Sequence, residues 1–229
     1  LSRKTKRRQK NPVSLIAHTN PIAPITEQYR LIRNNIHYSS VDKIIKTVFV
    51  TSADPAEGKS TTAANLAIVM AQKGKKTILV DADLRKPTVH YSFTVSNMEG
   101  LTSVLAKEIS LEDTVLRTNV PNLDIITSGP IPPNPAELLD SKAMELLMGE
   151  LKEMYEYIVI DSPPILAVTD PQIMATKCDG VVLVVASGKT QKDRAVKAKE
   201  LLERSGAKII GVVVNGVEEK LEGYYGHYR

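Results

Sequence analysis

Residues 47–70 constrain this chain more than any other stretch. An apolar, β-branched run (Thr47-Val48-Phe49-Val50) leads into Thr51-Ser52-Ala53-Asp54-Pro55-Ala56-Glu57-Gly58-Lys59-Ser60-Thr61-Thr62, and a helical pattern from Ala63 to Met70 follows. A strand that turns through a short loop into a helix is the setting in which Gly-Lys-Ser binds phosphate. Backbone N–H groups of the loop and first helical turn lack partners, and the helix dipole adds positive potential at the same point. Lys59 then supplies a full charge to the terminal phosphates, and the Ser60 hydroxyl is a Mg²⁺ ligand. The match to G-x-x-x-x-G-K-[ST] is incomplete, because Ala53 stands at the first glycine position. The nucleotide-binding candidates of this loop are Ala53, Asp54, Pro55, Ala56, Glu57, Gly58, Lys59, Ser60 and Thr61.

Beyond that loop, strands alternate with helices. The pattern predicts strands near 47–52, 77–81, 123–127, 157–161, 180–186 and 208–214. It predicts helices near 24–38, 59–73, 135–154, 170–176 and 190–205, with shorter ones around 101–107 and 111–117. Runs such as Tyr157-Ile158-Val159-Ile160 and Val181-Val182-Leu183-Val184-Val185 are apolar on both faces, as buried parallel strands are. Gly74 and Gly206 stand where helices close. The expected fold is α/β: a doubly wound, mostly parallel sheet of P-loop NTPase type with helices on both faces. In such sheets ligands bind beyond the carboxyl ends of the strands.

Further chemistry falls at those ends. The second strand finishes Val80-Asp81-Ala82-Asp83-Leu84-Arg85-Lys86-Pro87, and two carboxylates at this spacing share a face if strand geometry continues. Both are candidates for Mg²⁺ and base work. Asp161 closes the Tyr157–Ile160 run, as the metal-holding carboxylate of a Walker B strand does. Either acid alone would read as an ordinary turn residue. Combined with Gly58-Lys59-Ser60, they point to a nucleoside triphosphate with Mg²⁺. Asn215 ends the last strand and reads either as a purine-binding amide or as a turn residue before Gly216. His18, His37, His90 and His227 show no metal-ligand spacing.

The 229 residues suffice for one α/β domain with terminal appendages, and 42% of them are hydrophobic. No apolar run reaches the roughly 18–20 residues a membrane helix needs, and no secretory leader pattern is present. A single cysteine, Cys178, excludes an internal disulfide framework and suits a reducing cytosol. The net charge of +4 comes from the first ten residues, which carry six cations and no acid; the other 24 cations face 26 acids, a net of −2. The basic end is either a solvated arm or one that meets an anionic surface. No aromatic interleaves its charges, so no nucleic-acid partner is expected. Residues 1–23 read as this arm with an irregular, proline-containing connection, 24–216 as the nucleotide-binding domain, and 217–229 as a tail. Along the first helix Glu27, Arg30 and Arg33 gather near one face, either as an exposed ion pair or as a patch for a neighbouring subunit. The tail holds Tyr224, Tyr225 and Tyr228 among glycines, outside any apolar period, and extends roughly 40 Å from Gly216 at about 3.3 Å per residue. A phenol with a pKa near 10 is far easier to deprotonate than an aliphatic hydroxyl, so Asp81 or Asp83 could act as base for a tyrosine acceptor.

Taken together, the loop Ala53–Thr61, the segment Asp81–Pro87, the strand ending in Asp161, Glu27-x-x-Arg30-x-x-Arg33 and the terminal tyrosines resemble the bacterial tyrosine kinases of capsule and exopolysaccharide synthesis. The chain is similar to the separate cytoplasmic kinase subunit of Firmicutes. The resemblance implies MgATP-dependent autophosphorylation of Tyr224, Tyr225 and Tyr228 between neighbours in a ring-like homo-oligomer, with Glu27, Arg30 and Arg33 at the subunit contact. It also implies Lys59 as a catalytic residue, Ser60, Asp81 and Asp161 as the metal set, and Asp81 or Asp83 as the base. A membrane adaptor of the polysaccharide chain-length regulator type would activate the kinase and hold it at the inner face of the cell membrane. Other protein substrates are expected too, and phosphate on the tail would loosen the ring through like-charge repulsion. Ala56 departs from the family, which often has glycine there; alanine resists positive φ. Two other readings compete. A positioning ATPase of the partition or division-site type shares this fold, but carries a lysine where this chain has Asp54. A non-catalytic nucleotide-binding scaffold fits poorly with an intact Lys59, Ser60 and acid set.

Overall fold

The computed structural model describes residues 13–39 and 44–217. After a one-turn helix, α1 (Ile16–Thr19), and α2 (Pro24–Tyr38), the chain enters β1 (Thr47–Ser52), α3 (Lys59–Ala71) and β2 (Thr77–Asp81). Short helices α4 (Val89–Phe93), α5 (Leu101–Leu105) and α6 (Leu111–Thr114) precede β3 (Leu116–Arg117) and β4 (Leu123–Ile126). Then come α7 (Pro135–Asp140), α8 (Lys142–Met154), β5 (Tyr157–Asp161), α9 (Asp170–Thr176), β6 (Gly180–Ala186), α10 (Lys192–Arg204) and β7 (Ile209–Asn215).

The seven strands lie in the order β3-β4-β2-β5-β1-β6-β7, parallel throughout except for β3 against β4. This is the expected doubly wound sheet, and its central strands have no solvent-facing side: every residue of β1 and β2 is buried. The period of two sends alternate side chains into two cores. Phe49, Ile78, Val80, Ile158 and Ile160 face the layer that contains α8 and α10. Val48, Val50, Leu79, Val159 and Val182 face α3. A helix buried on nearly every side must itself be covered, and α3 is: Thr62 through Ala71 are all buried, between the sheet and the α1–α2 layer.

Three local expectations differ from the structure. The connection before α2 is not wholly irregular, because α1 is anchored by an amide inside α3. The fully buried Asn65 side chain accepts from the Ala17 N–H (2.9 Å) and donates to the carbonyls of Ser14 (2.8 Å) and Thr61 (2.8 Å). Gln72 donates to the Ala17 carbonyl at 2.8 Å. The long helix predicted for 135–154 breaks at Ser141, whose extended backbone (ψ 158°) restarts the chain as α8 while its hydroxyl accepts from the Met144 N–H. The helix predicted for 111–117 ends early, since Leu116 and Arg117 pair instead with Ile125 and Asp124 at the sheet edge.

Asn65→Ala removes three hydrogen bonds that a buried segment cannot replace with water. The expected loss is about 1–3 kcal/mol, from the groups left unsatisfied. Urea unfolding would register it, and the Ala17 amide would exchange hydrogen faster; unchanged exchange at Ala17 would show that Asn65 does not anchor α1.

Candidate active site

Strands β2 and β5 end at one level, β1 runs two residues further, and this register puts the functional side chains together. Asp81 lies opposite Asp161 across the β2–β5 ladder, and Val50 lies opposite Asp161 across β1–β5, one turn of loop below the Gly-Lys-Ser sequence. Gly58 adopts φ 95° and hands the chain to α3 without a side-chain cap, which leaves first-turn N–H groups available to an anion. A Cβ at 58 would lie 2.0 Å from Asn215 Nδ2 and would have to adopt this left-handed backbone, so any other residue is strained there and displaces the Asn215 amide. Ala56 is left-handed as well (φ 61°), so the conformation that glycine favours is here imposed on alanine.

A set of long-range contacts holds the loop in this shape. The buried Glu57 carboxylate accepts from the Asp54 N–H (2.9 Å) and from the Thr190 hydroxyl. Lys189 donates to the Ala56 carbonyl at 2.8 Å, and the Asn215 amide donates to the Glu57 carbonyl at 3.0 Å. Arg194 forks onto both oxygens of Asp54, whose carboxyl that guanidinium holds below the usual range. The position at which a positioning ATPase would carry lysine is thus occupied by half of an ion pair that braces the loop.

Lys59 is nearly buried, and its ammonium sits 3.0 Å from Asp83, 3.5 Å from Asp161 and 3.0 Å from the Ser60 hydroxyl. Burial acts to lower its pKa, but Asp161 and Asp83 outweigh that and hold it above its ordinary value. Asp81 is fully buried. Its oxygens accept from the N–H groups of Asp83 (3.2 Å), Thr88 (3.1 Å) and Val89 (3.1 Å). Burial, reinforced by the Asp161 carboxylate, pushes Asp81 up to about 7. Burial raises Asp161 as well, opposed by Lys59. One Asp161 oxygen, Oδ2, is buried without any hydrogen-bond partner, which fits an acceptor reserved for a cation or its water. Among the described residues no three His, Cys, Asp or Glu side chains gather with metal-holding geometry, so a cation here would also draw on Ser60 and on the nucleotide's phosphates.

Lys59, Ser60 and Asp83 open into one pocket of about 440 Å³, which Lys86, Pro163 and Val13 also line. Of the other expected site residues, Glu27 and Arg30 pair on the exposed face of α2. Arg33 instead donates to the Val69 carbonyl of α3 at 2.9 Å and to Asn34. Tyr224, Tyr225 and Tyr228 lie outside the described residues. Sequence reasoning missed Thr190, Lys189 and Arg194, which brace the loop from more than 130 residues away. It also missed Asp170, fully buried at the start of α9, which Arg85 grips with two hydrogen bonds of 2.7 and 3.0 Å. No local pattern announces such pairs; Asp170 before Pro171 reads only as a helix start.

Comparison with known proteins agrees with this fold. A family model described as an AAA domain matches residues 45–200. Tyrosine-protein kinase YwqD of Bacillus subtilis (strain 168) is 54% identical over 94% of this chain and 91% of its own length. Among solved structures, the chimerical protein CapA2B2 superposes with a TM-score of 0.87 at 45% identity, covering 90% of each chain. The kinase domain of the Escherichia coli tyrosine kinase ETK gives 0.87 at 30% identity, covering 99% of this chain and 89% of that one. The fold is of the P-loop NTPase type, and the chain belongs to the bacterial tyrosine-protein kinase family.

Proposed function

We propose that this chain transfers the γ-phosphoryl group of ATP to tyrosine hydroxyls, beginning with Tyr224, Tyr225 and Tyr228 of its own kind. The observation that carries the reading is Lys59: its ammonium is fixed at the phosphate-loop end of α3 among carboxylates from two other strands, facing one pocket. The residues from Ala53 to Thr61 cradle the phosphates through backbone N–H groups, and Asn215 borders the purine side. Nucleotide phosphates draw Lys59 away from Asp83, so the cation that held that carboxylate now offsets charge on the transferred group.

Asp83 is favoured over Asp81 as the base because it lines the pocket, whereas both oxygens of Asp81 are turned onto backbone N–H groups. In the transfer the phenol oxygen bonds to phosphorus, the bond to the β–γ bridging oxygen breaks, and the phenolic proton passes to Asp83. Held by Ser60, Asp81 and Asp161, Mg²⁺ would neutralise charge on the outer phosphates. The family resemblance supports regulation of capsule or exopolysaccharide synthesis, activation by a membrane adaptor of the chain-length regulator type and location at the inner membrane face. No helix of the described residues is long and apolar enough to cross a membrane. The exposed Glu27–Arg30 pair supports a subunit contact on α2 in a ring-like homo-oligomer.

Incubation with MgATP, with and without an adaptor's cytoplasmic segment, followed by peptide mass spectrometry, tests the reaction. Phosphate should appear on the tail tyrosines and fall about 100-fold or more in Lys59→Met, and similarly in Asp83→Asn. ATP hydrolysis without tail phosphate under either condition would reject the kinase reading.

A second measurement addresses the metal set. Protonating Asp81 below its pKa of about 7 removes a ligand charge, so MgADP affinity should fall about tenfold from pH 8 to pH 6. By titration calorimetry, Asp81→Asn should lack this dependence beyond that of the nucleotide itself. An equal pH dependence in both proteins would remove Asp81 from the metal set.

A further inference from the structure

The pocket has a direction. Nucleotide phosphates start at Gly58, and the Lys59 ammonium points from there towards Asp83 and Asp161, so the terminal phosphate lies on the β2 side. With strand order β2-β5-β1, the end of β2 stands two strand spacings, roughly 10 Å, from the phosphate loop. An incoming phenol must approach the transferred group from that side. The chain that borders it is Arg85-Lys86-Pro87-Thr88, for which the phosphate machinery provides no role.

Arg85 and Lys86 both line the pocket and both are exposed, yet they are differently engaged. Arg85 is committed through Nε and Nη2 to the buried Asp170. The Lys86 backbone is pinned by its N–H to Asp83 Oδ1 at 3.0 Å, so this lysine rides on the same turn as the proposed base. Among the described residues no carboxylate lies within ion-pair distance of its ammonium. Beside it the pocket wall is apolar, built from Val13, Pro163, Pro164, Ala167 and Val168. An apolar wall next to an uncompensated cation suits an aromatic ring accompanied by a negative charge. The tail has that composition: Glu222 precedes Tyr224 by two residues, with Glu218 and Glu219 further upstream.

We propose that Lys86, on the turn fixed by Arg85–Asp170, is the acceptor-recognition residue, binding the acidic side chains that precede the tyrosine in a second copy's tail. The inference rests on the kinase reading above and adds a substrate class to it: tyrosines preceded at short range by carboxylates.

The test uses the full chain with a fluorescent peptide of residues 217–229, and a second peptide in which Glu218, Glu219 and Glu222 are Gln. Binding is read by anisotropy and transfer by peptide phosphorylation with MgATP. Lys86→Glu should weaken binding of the native peptide about fivefold to tenfold, leave the Gln peptide unaffected and leave the KM for ATP unchanged. A peptide with those three glutamates replaced by Lys should regain affinity for Lys86→Glu. Equal losses on both peptides, or a raised KM for ATP, would place Lys86 on the nucleotide and overturn the assignment. Binding that depends on the glutamates without any phosphate transfer would sustain the site while rejecting the kinase reading. Lys86 is exposed, so its replacement disturbs no buried contact; Arg85 is left intact because its loss would strand the Asp170 charge.

Discussion

A buried ammonium surrounded by strand-end carboxylates is the interaction on which this molecule turns. Lys59 reaches Asp83 and Asp161 only because β2, β5 and β1 are adjacent, parallel and in a register that sets Asp81, Asp161 and Val50 side by side. Each of these charges would be expensive alone in the interior. Together they are tolerable, and the arrangement keeps a cation and several bases poised against one another at a pocket wall. The sheet's apolar strands are thus as much a part of the site as its polar residues. They exclude water from one side and fix the directions of the acids from below.

The support of the loop is a second, separate matter. Glycine-rich phosphate loops hold their shape through backbone freedom, and this one has surrendered part of it, with alanine at φ 61° and at the first glycine position. Four side chains from beyond β6 and from β7 take over the task, by gripping two carbonyls, a buried glutamate and an aspartate. The left-handed alanine is held by tertiary contacts, where glycine would hold itself.

How much of this was legible in the sequence depends on the range of the interaction. The strand–loop–helix unit, Asp81, Asp83 and Asp161 could be read because each is announced by its own neighbours: an apolar run, then a polar residue at the point where the strand stops. The same locality failed at Ser141, where an apolar period continues through a helix break, and at Leu116, whose strand exists only because β4 offers an edge. Asn65 looked like an ordinary polar residue on a helix, yet it is buried because α1 folds over it. The spacing of Arg33 left an exposed ion pair and a subunit patch equally open, and it gave no sign of the Val69 carbonyl that its guanidinium engages. Partners chosen from distant segments leave no periodic trace.

The placement of β7 has a consequence for which copy of the tail is within reach. The tail departs from Asn215, which touches the phosphate loop from one flank, whereas Asp83 lies on the other flank, four strand spacings or roughly 19 Å across the sheet. Tyr224 is nine residues on from Asn215, roughly 30 Å when fully stretched, and Tyr228 is thirteen, roughly 43 Å. Against a span of roughly 19 Å the nearest tyrosine keeps roughly a third of its reach in reserve, and the last one more than half. The width of the sheet between Asn215 and Asp83 thereby sets the shortest tail that could reach across its own subunit, and every tyrosine of the cluster lies beyond that length.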